Sequence, residues 1–232
     1  MEHLDLFSGI GGFSLAAGWA GLKTVVAIEI DEKARKIYKK NNPEVEVYED
    51  IREFKADEFY GCFLVTGGFP CTPFSHCGKQ RGKEDNRNLW PEMFRVIREC
   101  RPSWVIGENV IGIVALELDE ILSDLESEGY ETRTFIIPAC SKDARHRRDR
   151  VWIVGNTDSN ECRRREQVPT SRREEVFDFE WSGEWPSSSG ILRTSDGISS
   201  GMDRVKLLGN SLVPQVAFEI INSMVMVSNE RS

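Results

Sequence analysis

The chain has 232 residues, a hydrophobic content of 40% and a formal net charge of −8. These values fit one α/β domain, alone or with a small appendage, and exclude a disordered or fibrous chain. No apolar run approaches membrane-spanning length, and the start, MEHLDLF, shows no charged region leading into a long apolar stretch. Neither a membrane span nor an export signal is therefore expected, and the protein is expected in the cytoplasm. Six cysteines (62, 71, 77, 100, 140, 162) include no CxxC pair and no zinc-type spacing. They read as reduced thiols, with no metal site.

The charge is unevenly spread. Residues 1–60 hold eight Lys/Arg against twelve Asp/Glu, whereas residues 142–173 hold ten against five. An acidic body with one basic stretch fits a protein with a single polyanion-facing side; a solvated charged loop gives the same count.

In chain order, β-rich runs at 4–7, 24–30, 44–48, 63–66, 104–107, 132–137 and 151–154 predict strands. Between them, Met93, Val96, Ile97 and Cys100 fall at helical spacing, as do Leu118, Ile121, Leu122 and Leu125, with Gly129 placed to end the second helix. A last helix carries Ala217, Ile220, Ile221 and Met224 on one face. Alternating strands and helices predict an α/β fold: a doubly wound, mostly parallel sheet with helices on both faces and ligands at the carboxyl ends of its strands. From 156 to 200 the pattern dissolves into Ser, Arg, Glu and Gly with Trp181 and Trp185, which reads as a flexible stretch or a small recognition insert.

The first strand runs into Ser8-Gly9-Ile10-Gly11-Gly12-Phe13. Glycines at a strand-to-helix turn let backbone approach a ligand closely. Glu29 closes the second strand, where a carboxylate can accept from ribose hydroxyls, and Asp50-Ile51 follows the third, within reach of an adenine edge. The spacing is not that of a dinucleotide fingerprint, and no phosphate-cradling Gly-Lys-Ser/Thr is present. A ligand with adenosine but no pyrophosphate, such as S-adenosylmethionine, fits better. The fourth strand runs into Gly68-Phe69-Pro70-Cys71-Thr72-Pro73-Phe74-Ser75. Two prolines stiffen this loop around Cys71. A rigid, partly exposed thiol suits a nucleophile; a small buried cysteine is the competing reading.

In this order the motifs resemble those of the DNA cytosine-carbon-5 methyltransferases over most of the chain. DLFSGIGGF (5–13), Glu29 and Asp50-Ile51 match the cofactor motifs, and GFPCTPFS (68–75) the nucleophile loop, with Thr72 where Gln is usual. Residues 78–89 resemble the mobile catalytic loop and the adenine-contacting segment after it. Glu108-Asn109-Val110 matches the Glu-Asn-Val motif, and His146 to Arg150 the Gln-x-Arg-x-Arg motif with His at the Gln position. Leu208 to Ser211 with Val213-Pro214-Gln215 is similar to the closing motif that completes the cofactor pocket.

The resemblance implies a Rossmann-like fold and methyl transfer from S-adenosylmethionine to carbon 5 of cytosine in DNA, with base flipping. It implies Cys71 as nucleophile, Glu108 as acid and Arg148 and Arg150 as anchors, with Asn109 fixing the loop. It implies Phe7, Ser8, Gly9, Gly11, Gly12, Glu29, Ile30, Asp50, Ile51, Gly68, Pro70, Leu89, Asn210 and Ser211 around the cofactor. The expected organisation is a catalytic and cofactor-binding domain at 1–155, a target-recognition or flexible insert at 156–200, and a C-terminal segment at 201–232 returning to the catalytic domain. The expected partner is double-stranded DNA, with a cognate restriction enzyme if the protein serves restriction–modification; a monomer is expected. Cys62, Cys100 and Cys140 are expected to be packing residues. A tRNA cytosine methyltransferase and a catalytically inactive DNA-recognition module are the alternative readings.

Overall fold

The computed structural model describes residues 1–70, 88–142, 147–157 and 211–230. The strands are β1 Glu2–Leu6, β2 Lys23–Ile28, β3 Glu46–Tyr48, β4 Leu64–Gly67, β5 Trp104–Val110, β6 Glu131–Pro138 and β7 Asp149–Asn156. The helices are α1 Gly12–Trp19, α2 Glu32–Asn41, α3 Trp90–Cys100, α4 Leu118–Ser127 and α5 Pro214–Asn229. All seven strands form one sheet in the order β3-β2-β1-β4-β5-β7-β6.

Local sequence explains the helix ends. The Asp31 side chain accepts from the backbone N–H groups of Lys33 and Ala34 and starts α2. Pro91 opens α3. Gly129, at φ 84°, follows α4 in the left-handed region, and the Tyr130 and Gly129 N–H groups reach back to the carbonyls of Leu125 and Glu126. That closure needs the glycine the sequence provides.

Alternation along the strands separates two apolar layers. Leu4, Leu6, Val65, Val105 and Ile153 pack with Met93 and Ile97 of α3 and Ile121 and Leu125 of α4. Leu64, Ile106, Trp152 and Val154 pack with Phe13 and Ala17 of α1 and Ala217 and Ile221 of α5. Helix α2 is mostly polar and buries only Ala34 and Tyr38, beside Ala27 of β2.

The parallel expectation holds for β1 to β5 and fails for β7, which runs antiparallel to both β5 and β6. Only residues 139–148 separate β6 from β7, too few for the crossover helix a parallel neighbour needs. The reversal matters for the site. It brings the beginning of β7, with Arg150, to the sheet edge where β1 to β5 end, pairing Arg150 with Val110. Cys62 and Cys100 are buried, as expected of packing residues, but Cys140 is exposed in a 3-10 turn after β6.

Candidate active site

The carboxyl ends of β1 to β5 enclose a cavity of about 570 Å³, lined by Phe7, Glu29, Asp50, Phe69, Glu108 and Arg150 among others. That volume suits a ligand of nucleoside size or larger. Of the residues expected around a cofactor, Gly9, Ile30, Ile51, Gly68, Pro70, Leu89 and Ser211 also border it. Cys71 and Asn210 lie outside the described residues, as do His146 and the segments 71–87 and 158–210.

The turn after β1 divides its labour. Phe7 and Gly9 both have φ 55°, and a Cβ on Gly9 would meet nothing within 4 Å, so this backbone faces open space. Phe7 holds that conformation at a cost, as non-glycine residues at functional sites sometimes do. Gly11 and Gly12 do not border the cavity, contrary to expectation. A Cβ on Gly11 would stand 3.1 Å from the Tyr38 ring, and one on Gly12 2.9 Å from Leu212 Cγ. The absent side chains of these two glycines admit α2 and the C-terminal segment. Ser8 is likewise not on the cavity wall: it is buried, with its N–H bonded to the Ile28 carbonyl at 2.9 Å.

Glu29 is fixed on both oxygens. Oε2 accepts from Gly9 N–H and Oε1 from Asp31 N–H, each at 2.8 Å. Its remaining lone pairs face the cavity it borders, beside Ile30, an apolar residue left 59% exposed at the rim. A polar-plus-apolar wall of this kind fits an adenosine. Asp50, expected at an adenine edge, is engaged by Arg52, whose Nη2 donates to Oδ2 at 2.7 Å and whose Nε donates to Oδ1 at 2.9 Å. Those bonds hold its carboxyl below the ordinary range. Asp50 therefore offers a contact only at its free edge.

On the other side of the cavity Arg150 Nε meets Glu108 Oε1 at 2.9 Å. Burial pushes the Glu108 carboxyl above its ordinary range, against the opposing pull of Arg150 and Arg148. Gly68 is a neighbour of this carboxylate: a Cβ there would lie in ordinary contact, 3.5 Å from Glu108 Oε2. Arg148 has φ 39°, and its Nη2 donates to the Ser211 carbonyl at 2.7 Å, tying the C-terminal segment to the cavity. Arg148 Nε is buried with no hydrogen-bond partner among the described residues.

The loop leading to Cys71 is held from below. Asn109 Nδ2 donates to the Phe69 carbonyl at 2.9 Å, and the Phe69 ring packs on Trp90 at 5.3 Å between centroids. Trp90 is anchored in turn through its indole N–H to Asp124 at 2.8 Å. The sequence reading found Asn109 but not Trp90 or Asp124. The tryptophan at the start of α3, one residue beyond the expected adenine-contacting segment, was the available signal.

The family described as C-5 cytosine-specific DNA methylase matches residues 1–194. The Type II methyltransferase M.HgiCII of Herpetosiphon aurantiacus is 34% identical over 160 residues, covering 66% of this chain and 37% of that protein. The Type II methyltransferase M.Eco47II of Escherichia coli is 32% identical over 209 residues, covering 85% of this chain and 46% of that protein. The chain thus spans less than half the length of these relatives. Among solved structures, a protein encoded within an E. coli prophage and assigned as a DNA modification methyltransferase superposes with a TM-score of 0.60 at 27% identity, over 69% of this chain and 48% of that one. The Dnmt2 methyltransferase of S. pombe shares the fold, with a TM-score of 0.59 at 24% identity over 75% of this chain and 58% of that one. The chain belongs to the C-5 cytosine-specific DNA methylase family.

Proposed function

We propose that the protein methylates carbon 5 of cytosine in double-stranded DNA, with S-adenosylmethionine as methyl donor. The observation that carries this reading is the half-buried Glu108–Arg150 pair, which shares one cavity with the Glu29 and Ile30 wall. One wall suits an adenosine, and the other suits a polar base with ring nitrogens and a carbonyl.

S-adenosylmethionine, when bound, supplies an electrophilic methyl group. Gly9, Glu29, Ile30, Asp50 and Ile51 border the part of the cavity that would hold its adenosine. The protein's own task is to make cytosine nucleophilic. The Cys71 thiolate adds to carbon 6, forming a carbon–sulfur bond and moving an electron pair toward carbon 5 and nitrogen 3. Glu108, whose carboxyl burial pushes above its ordinary range, donates to nitrogen 3 as charge develops there. Arg148 stands on the cavity wall, where its guanidinium can meet the base carbonyl, and Arg150 holds Glu108 in place. After carbon 5 takes the methyl group, with S-adenosylhomocysteine as the leaving group, loss of the carbon-5 proton to water and departure of Cys71 as the thiolate restore the aromatic ring. The target base lies inside a duplex stack, so it must be flipped out to reach this cavity.

A DNA duplex with 5-fluorocytosine at the target tests the proposal, because fluorine cannot leave as a proton does. The expected result is a covalent adduct mapped to Cys71, absent in Cys71→Ser, with cofactor binding retained in that variant. Bisulfite sequencing of host DNA identifies the target. An adduct at Cys77, or methyl transfer by Cys71→Ser, would overturn the assignment of the nucleophile. Methylation of tRNA with none of DNA would overturn the substrate.

A further inference from the structure

We propose that Arg35 is a positioning residue for the adenosine half of the cofactor, an inference that rests on the S-adenosylmethionine reading above. The parallel ladder between β2 and β3 ends at the pair Ile28 and Tyr48. Beyond it the chain turns into α2, and the carbonyls of Glu29 and Ile30 lie past the last ladder pair. The Arg35 guanidinium takes both: Nη1 donates to the Glu29 carbonyl at 2.8 Å and to the Ile30 carbonyl at 2.6 Å. Its Nη2 meets Glu49 Oε2, after β3, at 3.1 Å. One planar group, with its side chain only 15% exposed, therefore joins α2, the end of β2 and the end of β3.

The consequence falls on Glu29. Its N–H donates to the Tyr48 carbonyl at 3.1 Å, its carbonyl accepts from Arg35, and its two carboxylate oxygens accept from Gly9 and Asp31. Among the described residues, only the Arg35 bond comes from a side chain outside the turn. Arg35 does not border the cavity; Glu29, Ile30 and Glu49 do. It acts through them.

Charge adds a second argument. Glu29, Asp31, Glu49 and Asp50 all stand on the cavity wall. They gather negative charge on that wall, and Arg52 is already committed to Asp50. Arg35 is the cation that faces the Glu29 and Glu49 side. Lysine could keep the charge, but its ammonium lacks the planar fork that reaches three acceptors in one geometry.

The test compares wild-type protein with Arg35→Met and Arg35→Lys, using S-adenosylmethionine and S-adenosylhomocysteine as calorimetric probes, together with steady-state methylation of DNA. Arg35→Met should weaken both probes by about tenfold and equally, because Arg35 addresses the adenosine side and not the sulfonium. KM for S-adenosylmethionine should rise, while kcat at saturating cofactor and KM for DNA stay level. Arg35→Lys should fall between, weaker than wild type by about threefold, and decides the matter if Arg35→Met does not fold. Wild-type affinity in both variants overturns the assignment, as does a loss of kcat with KM for cofactor unchanged. A wild-type protein that binds neither probe overturns the functional reading itself.

Discussion

At the scale of the residue, Glu108 is governed by two opposed influences. Burial favours its neutral form, and the guanidinium groups of Arg150 and Arg148 favour the charged one. An acid that must hold a proton loses activity as pH rises through its pKa. Replacing Arg150 with Met removes the nearer cation, so the Glu108 carboxyl should rise further. The variant should turn over more slowly, yet the alkaline limb of its kcat/KM profile should move to higher pH than in the wild type. A limb that stays in place would mean that Glu108 does not set it. Glu108, Arg150 and Asn109 were legible in the sequence because a motif names them. The packing part played by Gly11 and Gly12 was not legible, because a glycine in a turn looks the same whether a ligand or a side chain occupies the space its Cβ would fill. Arg35 went unseen because nothing in a polar helix marks the one arginine that turns toward two free carbonyls.

At the scale of the element, β1 carries a polar pair on the face it presents to α1 and α2. The His3 ring nitrogens face Thr24 Oγ1 at 2.9 Å and Thr66 Oγ1 at 2.8 Å. Asp5 Oδ2 accepts from Ser14 N–H at 3.1 Å and from Ser14 Oγ at 2.6 Å, and Ser14 Oγ lies 2.5 Å from the Tyr38 hydroxyl. Burial pushes Asp5 up to about 7 and His3 down to about 3. For Asp5, raised above its unfolded value of 3.8, the stabilising contribution is complete below pH 3.8 and is lost as pH rises through about 7. For His3, depressed below 6.5, the contribution is complete above pH 6.5 and is lost as pH falls toward about 3. Between about pH 4 and 6.5 the two slopes oppose each other, each worth roughly 3–4 kcal/mol over that range. Asp5→Asn should therefore unmask the histidine, so that stability to denaturant falls on acidification across this window more steeply than in the wild type. His3→Gln should show the reverse, with stability falling as pH rises. Parallel curves for all three proteins would show that neither group titrates on unfolding. The strand positions themselves were legible, because alternation and apolar runs mark them. The direction of β7 was not, because periodicity reports which face a side chain occupies and says nothing of which way the strand runs.

At the scale of the whole molecule, the site is assembled from distant parts of the chain. The turn after β1, the ends of β2 to β5, the beginning of β7 and Ser211 meet at one edge of the sheet. Motif order made the fold readable, since strand–helix alternation with a glycine turn first and a closing motif last leaves few other arrangements. The 156–200 segment carried little periodicity to read, and from residue 158 onward it lies outside the described residues.

The seating of α5 has a consequence for chain continuity. Its apolar face, with Val216, Ala217, Ile221 and Met224, is buried against α1 and β7. The Trp19 and Phe218 rings meet edge to face at 6.1 Å, Trp104 Nε1 donates to Ser228 Oγ at 3.2 Å, and Lys142 pairs with Glu219 at 2.5 Å. Every one of these contacts joins residues on the two sides of the 158–210 interval, so none is severed by opening the backbone within it. Limited trypsin treatment that cleaves at Arg163, Arg164 or Arg165 should give two fragments on a denaturing gel but one particle by gel filtration, still able to bind S-adenosylmethionine. Fragments that separate under native conditions would show that α5 depends on the covalent link. If the fragments stay together, the last helix behaves as a docked peptide that shares a gene with its receptor, and the cavity is a property of the assembled surfaces rather than of an unbroken chain.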